Sequence, residues 1–310
     1  MSDCLLSLCI PTNGVSEWVF PVLDSIYSQG VDDSLFEVIV EDNGKNSQFK
    51  TAMGEYVSQH RNLVYKETTA YEFLSEIECY KNATGLFIKF INHRTKLCSG
   101  TLQYFIDFVQ KYKEQKPCVY FGNGVIPNIK HINEYNSFND YVAALSFWSS
   151  WSTGMGFWKD DFDKISTDEK PNLLFPHALI LFHERNKKLY IIDNSTLLNE
   201  IPVGSIPKGR YNLFNAFAVE YVLLILGLMI EHDITYETFF KIKNDNFYFL
   251  ETLYFDYVFL KKPCSYDLKN VAESLNVFYS LSKIKRRLPK IFVVKTFAKL
   301  KYILSNLRSK

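Results

Sequence analysis

The chain has 310 residues, 47% of them hydrophobic and 22% charged, enough to bury a sizeable core without a disulfide or metal staple. The 35 basic and 34 acidic side chains leave a net charge of +1, yet residues 283–310 hold ten Lys or Arg and no acid, so 1–282 carry a net −9. Six scattered cysteines with no C-x-x-C pair argue against a zinc site or a secreted disulfide framework, and the N-terminus, with Asp3 and an apolar run broken by Pro11, lacks the features of a signal peptide. These points favour a reducing cytosol.

In chain order, the first half alternates short β-branched runs with helical periodicity, the pattern of βαβ units and a mostly parallel sheet. Strands are expected at 5–10, 36–40, 62–65, 86–91 and 118–121, and helices at 16–28, 47–58, 71–82 and 99–112. Ser16 is positioned to cap the first helix. Past 123 the alternation weakens into Asn, Gly and Trp clusters, with a helix at 175–182 and a strand at 189–192. From 211 the pattern is helical: 212–230, 236–243, 247–260 and 270–281. The apolar run 216–230 carries Glu220 and is shorter than a membrane span, which favours a buried core helix. Three segments result: an α/β domain over 1–210, a helical extension over 211–282 and a basic tail over 283–310.

Ligands of open α/β sheets sit beyond the carboxyl ends of the strands. Three such ends are chemically loaded here. Ile10-Pro11-Thr12-Asn13-Gly14 presents backbone groups and a hydroxyl, Glu41-Asp42-Asn43-Gly44 a carboxylate able to accept from a base N–H, and Asn92-His93-Arg94-Thr95 a polar cluster. Their order and spacing favour a nucleotide cleft over three unrelated polar turns.

Those same segments resemble the family 2 glycosyltransferases. Leu6-Ser7-Leu8-Cys9-Ile10-Pro11-Thr12-Asn13 with Leu23-Asp24-Ser25-Ile26 is similar to the family's opening, and Phe36–Gly44 to its second strand and turn. Ala83–Asn92 and Ser99-Gly100-Thr101-Leu102 resemble its fourth strand and the start of the next helix. The likeness is good over residues 5–110 and loose to 200. It implies a GT-A fold, a Rossmann-like, mostly parallel sheet flanked by helices, here with a C-terminal helical extension. It also implies inverting transfer from a nucleotide-diphosphate sugar, a UDP-sugar favoured, to a glycan. Pro11, Thr12, Asn13, Asp42, Asn43, Asn92, His93 and Arg94 would then bind the nucleotide-sugar, with Asp42 holding the base.

The departure is at the metal motif. The family's Asp-x-Asp falls at His93-Arg94-Thr95, where no carboxylate stands to seat Mg²⁺ or Mn²⁺. Arg94 in that place suits the leaving diphosphate, because a guanidinium grips phosphate bidentately. The alternative is a non-catalytic glycosyltransferase-like binding or scaffolding protein; a nucleotidyltransferase is disfavoured because it too would want clustered carboxylates. Candidates for the base are Asp161, within the acidic set Asp160, Asp161 and Asp163, and His177 at the start of a helix. Trp151 and Trp158, with Trp148, are candidates to stack on the acceptor sugar.

In the tail, Pro289 reads as a first-turn proline, and Val293, Phe297, Leu300, Leu304 and Leu307 recur at helical spacing among lysines. A basic amphipathic helix of this kind suits an anionic membrane surface, and the tail lacks a nucleic-acid-binding fold. The expected setting is the cytoplasmic face of the plasma membrane, with a lipid-linked acceptor in surface polysaccharide synthesis.

Overall fold

The computed structural model describes residues 4–202 and 209–308, with backbone alone from 298 onward. The chain divides into two compact units, Met1–Pro202 and Val203–Lys310, where the sequence pattern places the change of character at 210/211.

In the first unit β1 (Leu6–Thr12), α1 (Ser16–Tyr27), β2 (Phe36–Asp42), α2 (Ser47–Val57), β3 (Leu63–Glu67), α3 (Ser75–Lys81) and β4 (Phe87–Phe90) form the expected βαβ series. A short strand β5 (Thr95–Leu97), α4 (Thr101–Tyr112) and β6 (Cys118–Phe121) follow, then β7 (Ile132–Tyr135), α5 (Phe138–Leu145), β8 (Met155–Trp158), α6 (Lys159–Phe162), α7 (His177–Leu181), β9 (Tyr190–Asp193) and β10 (Leu198–Glu200). The main sheet has eight strands in the order β3-β2-β1-β4-β8-β6-β9-β7. Only β8 and β7 run antiparallel to their neighbours. β1, β2 and β4 read as near-continuous apolar runs because helices cover both faces of a parallel sheet; Leu6, Leu8, Ile10, Val38, Val40, Phe87 and Ile91 share one core with Val19, Val22, Phe105 and Ile106.

Ser16 is the first residue of α1; the N-cap is Val15, whose side chain makes no capping bond. β5 and β10 form a separate antiparallel ribbon with Thr95 opposite Glu200. Strands 132–135 and 155–158 and helix 138–145 lie where the Asn, Gly and Trp clusters suggest loops and short strands without bounds: each is short, and β7 is exposed for most of its length, so no apolar period marks it.

The second unit is helical: α8 (Leu213–Asn215) runs through a π-helical turn into α9 (Tyr221–Ile230), followed by α10 (Tyr236–Leu253), α11 (Val271–Phe278) and α12 (Leu281–Arg308). The stretch Leu213–Ile230, with mean hydropathy 2.2, is long and apolar enough by composition to cross a membrane, and half of it is buried. Tyr221, Val222, Ile225 and Leu228 face inward while Leu223 and Ile230 are exposed, so the helix is buried along one side. Pro289 also departs from expectation. It sits within α12, which begins eight residues earlier, on the exposed side where the carbonyl that loses its donor can be hydrated.

Candidate functional site

The first two loaded loops meet at the carboxyl edge of the sheet. Gly14 adopts a left-handed φ of +78°, and its N–H donates to the Thr12 hydroxyl at 3.1 Å. The Asn46 amide donates to the Gly14 carbonyl at 3.2 Å. At Gly44 a Cβ would stand 2.2 Å from the Asn13 carbonyl oxygen, so only glycine permits this approach of the two backbones. Asp42 is 1% exposed; its Oδ1 accepts from Gly44 N–H at 2.7 Å and its Oδ2 from the Tyr65 hydroxyl at 2.9 Å. Its carboxylate thus braces the loop in this structure. Asn43 donates to the carbonyls of Ala70 and Glu72, Pro11 is half-buried, and Asn13 is exposed at the cleft.

The third loop closes against them. His93 Nδ1 lies 2.9 Å from Thr12 Oγ1, and its ring packs edge-on to Trp18 at 5.0 Å. Burial and the neighbouring Arg94 charge push the imidazole down to about 4, so it is neutral near pH 7. The Thr12 hydroxyl thus joins the Gly14 N–H and the His93 ring in one chain of contacts. Asn92 Oδ1 accepts from Arg94 N–H at 3.2 Å. The Arg94 guanidinium donates through Nη1 to Glu200 at 3.1 Å and to the Ile201 carbonyl at 3.4 Å, held by the β5–β10 ribbon. Sequence reasoning could not see this ribbon, because its partners are about 100 residues apart.

Two sequence-derived candidates are corrected. β8 runs antiparallel to β4, with Trp158 opposite Phe87, so the chain leaves β8 at the amino edge of the sheet, and the residues that follow directly, Asp160, Asp161 and Asp163, lie away from the cleft. Asp161 therefore cannot serve there as the base. It is 7% exposed and bridges Lys164 at 2.8 Å and Lys187 at 2.7 Å, while Asp160 pairs with Lys116 and Asp163 with Lys159. Trp158 is 1% exposed with its indole N–H on the Pro117 carbonyl at 2.9 Å, a core residue with no face for a sugar. The amino end of β8, in contrast, lies at the carboxyl edge.

There the segment 146–155 approaches the end of β4. The Tyr120 hydroxyl lies 2.7 and 2.8 Å from the carbonyls of Trp148 and Trp151, whose rings pack edge to face at 4.4 Å. Lys89, fully buried in β4, donates to the carbonyls of Phe90, Thr153 and Met155 at 2.9, 2.8 and 3.0 Å. Burial pushes its ammonium down to about 7. Lys89 went unnoticed in the sequence because a strand lysine normally signals a solvent-facing position. His177 is 2% exposed at the start of α7, its Nε2 3.1 Å from the Ser149 carbonyl. A carbonyl only accepts, so the proton is on Nε2 and Nδ1 carries the lone pair. Burial pushes this imidazole down to about 4.

Among the described residues no group of three or more His, Cys, Asp or Glu is placed to hold a metal ion. At the end of β4 the donors are an amide, an imidazole and a guanidinium, a set that does not fit a hard divalent cation.

No family model matches the sequence, and no curated protein matches it. Solved structures do match. The Staphylococcus aureus TarS fragment 1–349 in complex with UDP-GlcNAc superposes with a TM-score of 0.60 at 16% identity, over 88% of this chain and 80% of that one. A second structure of the same fragment gives 0.56 at 16%, over 81% and 74%. The mannosyltransferase PcManGT from Pyrobaculum calidifontis, in complex with GDP-Man and Mn²⁺, gives 0.52 at 14%, over 95% and 79%. With its mostly parallel eight-stranded sheet flanked by helices, the chain has the GT-A-like fold of these glycosyltransferases.

Proposed function

We propose that this chain is an inverting glycosyltransferase that moves a hexosyl or N-acetylhexosaminyl group from a nucleoside-diphosphate sugar, UDP-linked in the favoured case, to a glycan hydroxyl. The supporting observation is the convergence of Thr12, His93 and Arg94 at the carboxyl edge of a glycosyltransferase-like sheet. In this reading the acceptor oxygen attacks the anomeric carbon as the bond to the diphosphate breaks, and its proton passes to a base. Arg94 turns from Glu200 to the departing phosphates, with the neutral His93 imidazole beside it, and no metal is required. With Asp161 at the other edge, His177 Nδ1 is the base, its tautomer set by the Ser149 carbonyl; buried as it is in this structure, it acts once acceptor binding uncovers it. Trp151 stacks on the acceptor. The acceptor is lipid-linked, and the basic residues 283–310 bring the enzyme to the anionic cytoplasmic leaflet during surface polysaccharide synthesis.

The test is thermal denaturation with UDP, dTDP, GDP and CMP, each with Mn²⁺ and then with excess EDTA. One nucleotide at about 100 times its dissociation constant should stabilise the fold by about 2.7 kcal/mol, a rise on the order of 5 °C or more, and EDTA should leave that rise intact. A rise abolished by EDTA would restore a metal. No rise with any nucleotide would favour the non-catalytic reading, which draws on the occupation of Arg94 by Glu200.

His177→Asn, which keeps a donor near the Ser149 carbonyl but has no basic nitrogen, should lower turnover by about 10²–10⁴-fold with little change in donor binding. Turnover within a few-fold of wild type would remove His177 from the mechanism.

A further inference from the structure

The turn Gly122-Asn123-Gly124 is an Asn-Gly cluster for which glycosyl transfer, as set out above, has no use. It follows β6, which runs parallel to β9 and antiparallel to β8; since β8 is itself antiparallel to β4, the turn stands at the carboxyl edge. Asn123 has a left-handed φ of +52°, a region in which Asn is enriched among residues that carry a side chain. Its amide reaches the chain where β10 begins. Oδ1 accepts from the N–H groups of Leu197 and Leu198, both at 2.8 Å, and Nδ2 donates to the Leu198 carbonyl at 2.9 Å. Three of the four hydrogen bonds open to an amide are therefore made to one segment. The flanking glycines permit the approach. At Gly122 a Cβ would stand 2.5 Å from Asn194 Oδ1, and at Gly124, with φ +77°, 2.7 Å from Thr196 Oγ1.

β10 needs such a support. Its three residues pair with the three of β5, and a two-stranded ribbon is only marginally stable by itself. β5 supplies one edge, and the Asn123 amide takes both backbone groups of Leu198 on the other, as a third strand would. The ribbon in turn holds Arg94. Ile201 N–H donates to the Arg94 carbonyl at 2.8 Å, and the Arg94 guanidinium donates to Glu200 and to the Ile201 carbonyl. Asn123 is thus linked to Arg94 through the short segment 198–201. We infer that Asn123 is a positioning residue that clamps β10 along its free edge and so fixes where Arg94 stands. The clamp is a matter of geometry; its effect on turnover rests on Arg94 serving the departing diphosphate, as proposed above.

Asn123→Gly keeps the left-handed backbone and removes all three hydrogen bonds. Hydrogen exchange at the Ile201 amide, whose partner is the Arg94 carbonyl and not Asn123, should accelerate by about tenfold or more, while amides of β1 and β2 keep their wild-type rates. In a transfer assay kcat should fall by about tenfold, because a misplaced donor meets the developing charge less well. Placed in Arg94→Ala, the same substitution should lower kcat no further, since Asn123 acts through the guanidinium; a merely structural role would give the same loss in both backgrounds. Asn123→Asp keeps both accepted N–H bonds and loses the donated one. It should lie between wild type and Asn123→Gly in exchange and in rate, and it carries the test if three successive glycines unfold the protein. Unchanged exchange at Ile201 in a folded variant, or an equal loss in both backgrounds, would overturn the positioning role and leave the transfer reading in place. Wild-type turnover in Arg94→Ala would overturn both.

Discussion

Arg94→Ala is expected to lower glycosyl transfer by about 10²–10³-fold, the cost of removing one preorganised donor from a developing anion. The fold should be unaffected. Arg94 pairs with Glu200, whose side chain is 63% exposed, and ion pairs of that kind contribute about 0–1 kcal/mol. The melting temperature should therefore stay within a few degrees of wild type while turnover collapses. Arg94→Lys should recover only part of the rate, because an ammonium cannot present the planar fork that matches two phosphate oxygens. Glu200→Gln supplies the complementary measurement: freeing the guanidinium should tighten nucleoside-diphosphate binding. Wild-type turnover in Arg94→Ala would remove the residue from the mechanism and, with it, the metal-free account of leaving-group stabilisation.

The second large effect concerns the membrane. α12 is used on one side only. Ile284 is buried, Arg287 pairs with Glu251, Lys295 pairs with Asp256 at 2.6 Å, and Lys283 lies 4.8 Å over the Phe247 ring. Phe292, Val293, Val294 and Phe297 are all about half exposed or more, and Lys285, Arg286 and Lys290 are exposed as well. Charge favours an anionic lipid surface over a second copy of this helix, since two tails with ten basic groups and no acid would repel. The triple variant Lys285→Glu, Arg286→Glu, Lys290→Glu should lower affinity for phosphatidylserine-containing vesicles at least a hundredfold, as each lost charge contributes about 1 kcal/mol. Wild-type binding should weaken steeply with salt and be slight on neutral phosphatidylcholine. Folding should be preserved because none of the three is buried. Binding that ignores both salt and charge reversal would defeat the electrostatic account.

Much of the first unit was legible from the sequence. The parallel strands β1, β2 and β4 are apolar on both faces, so their runs stand out, and each ends in a polar turn that the doubly covered sheet places at one edge. Thr12, Asp42, His93 and Arg94 were identified on that ground, and the structure brings them to one edge with Thr12 and His93 in contact. The second half was less legible for a definite reason. Periodicity marks a strand but not its direction, and β8 is the strand that reverses. The same four-residue run therefore carries Trp158 and Asp161 to the edge away from the cleft and leaves Trp151 and Ser152 beside it.

Local patterning thus determined the element types, the loaded strand ends and the basic, amphipathic character of the last helix, because each is a property of residues near one another in the chain. Only the tertiary structure decided which acid is buried, which imidazole nitrogen carries the proton, and that Arg94 is held by Glu200. Those outcomes depend on desolvation and on hydrogen-bond partners 28 to 106 residues away, which no local pattern encodes.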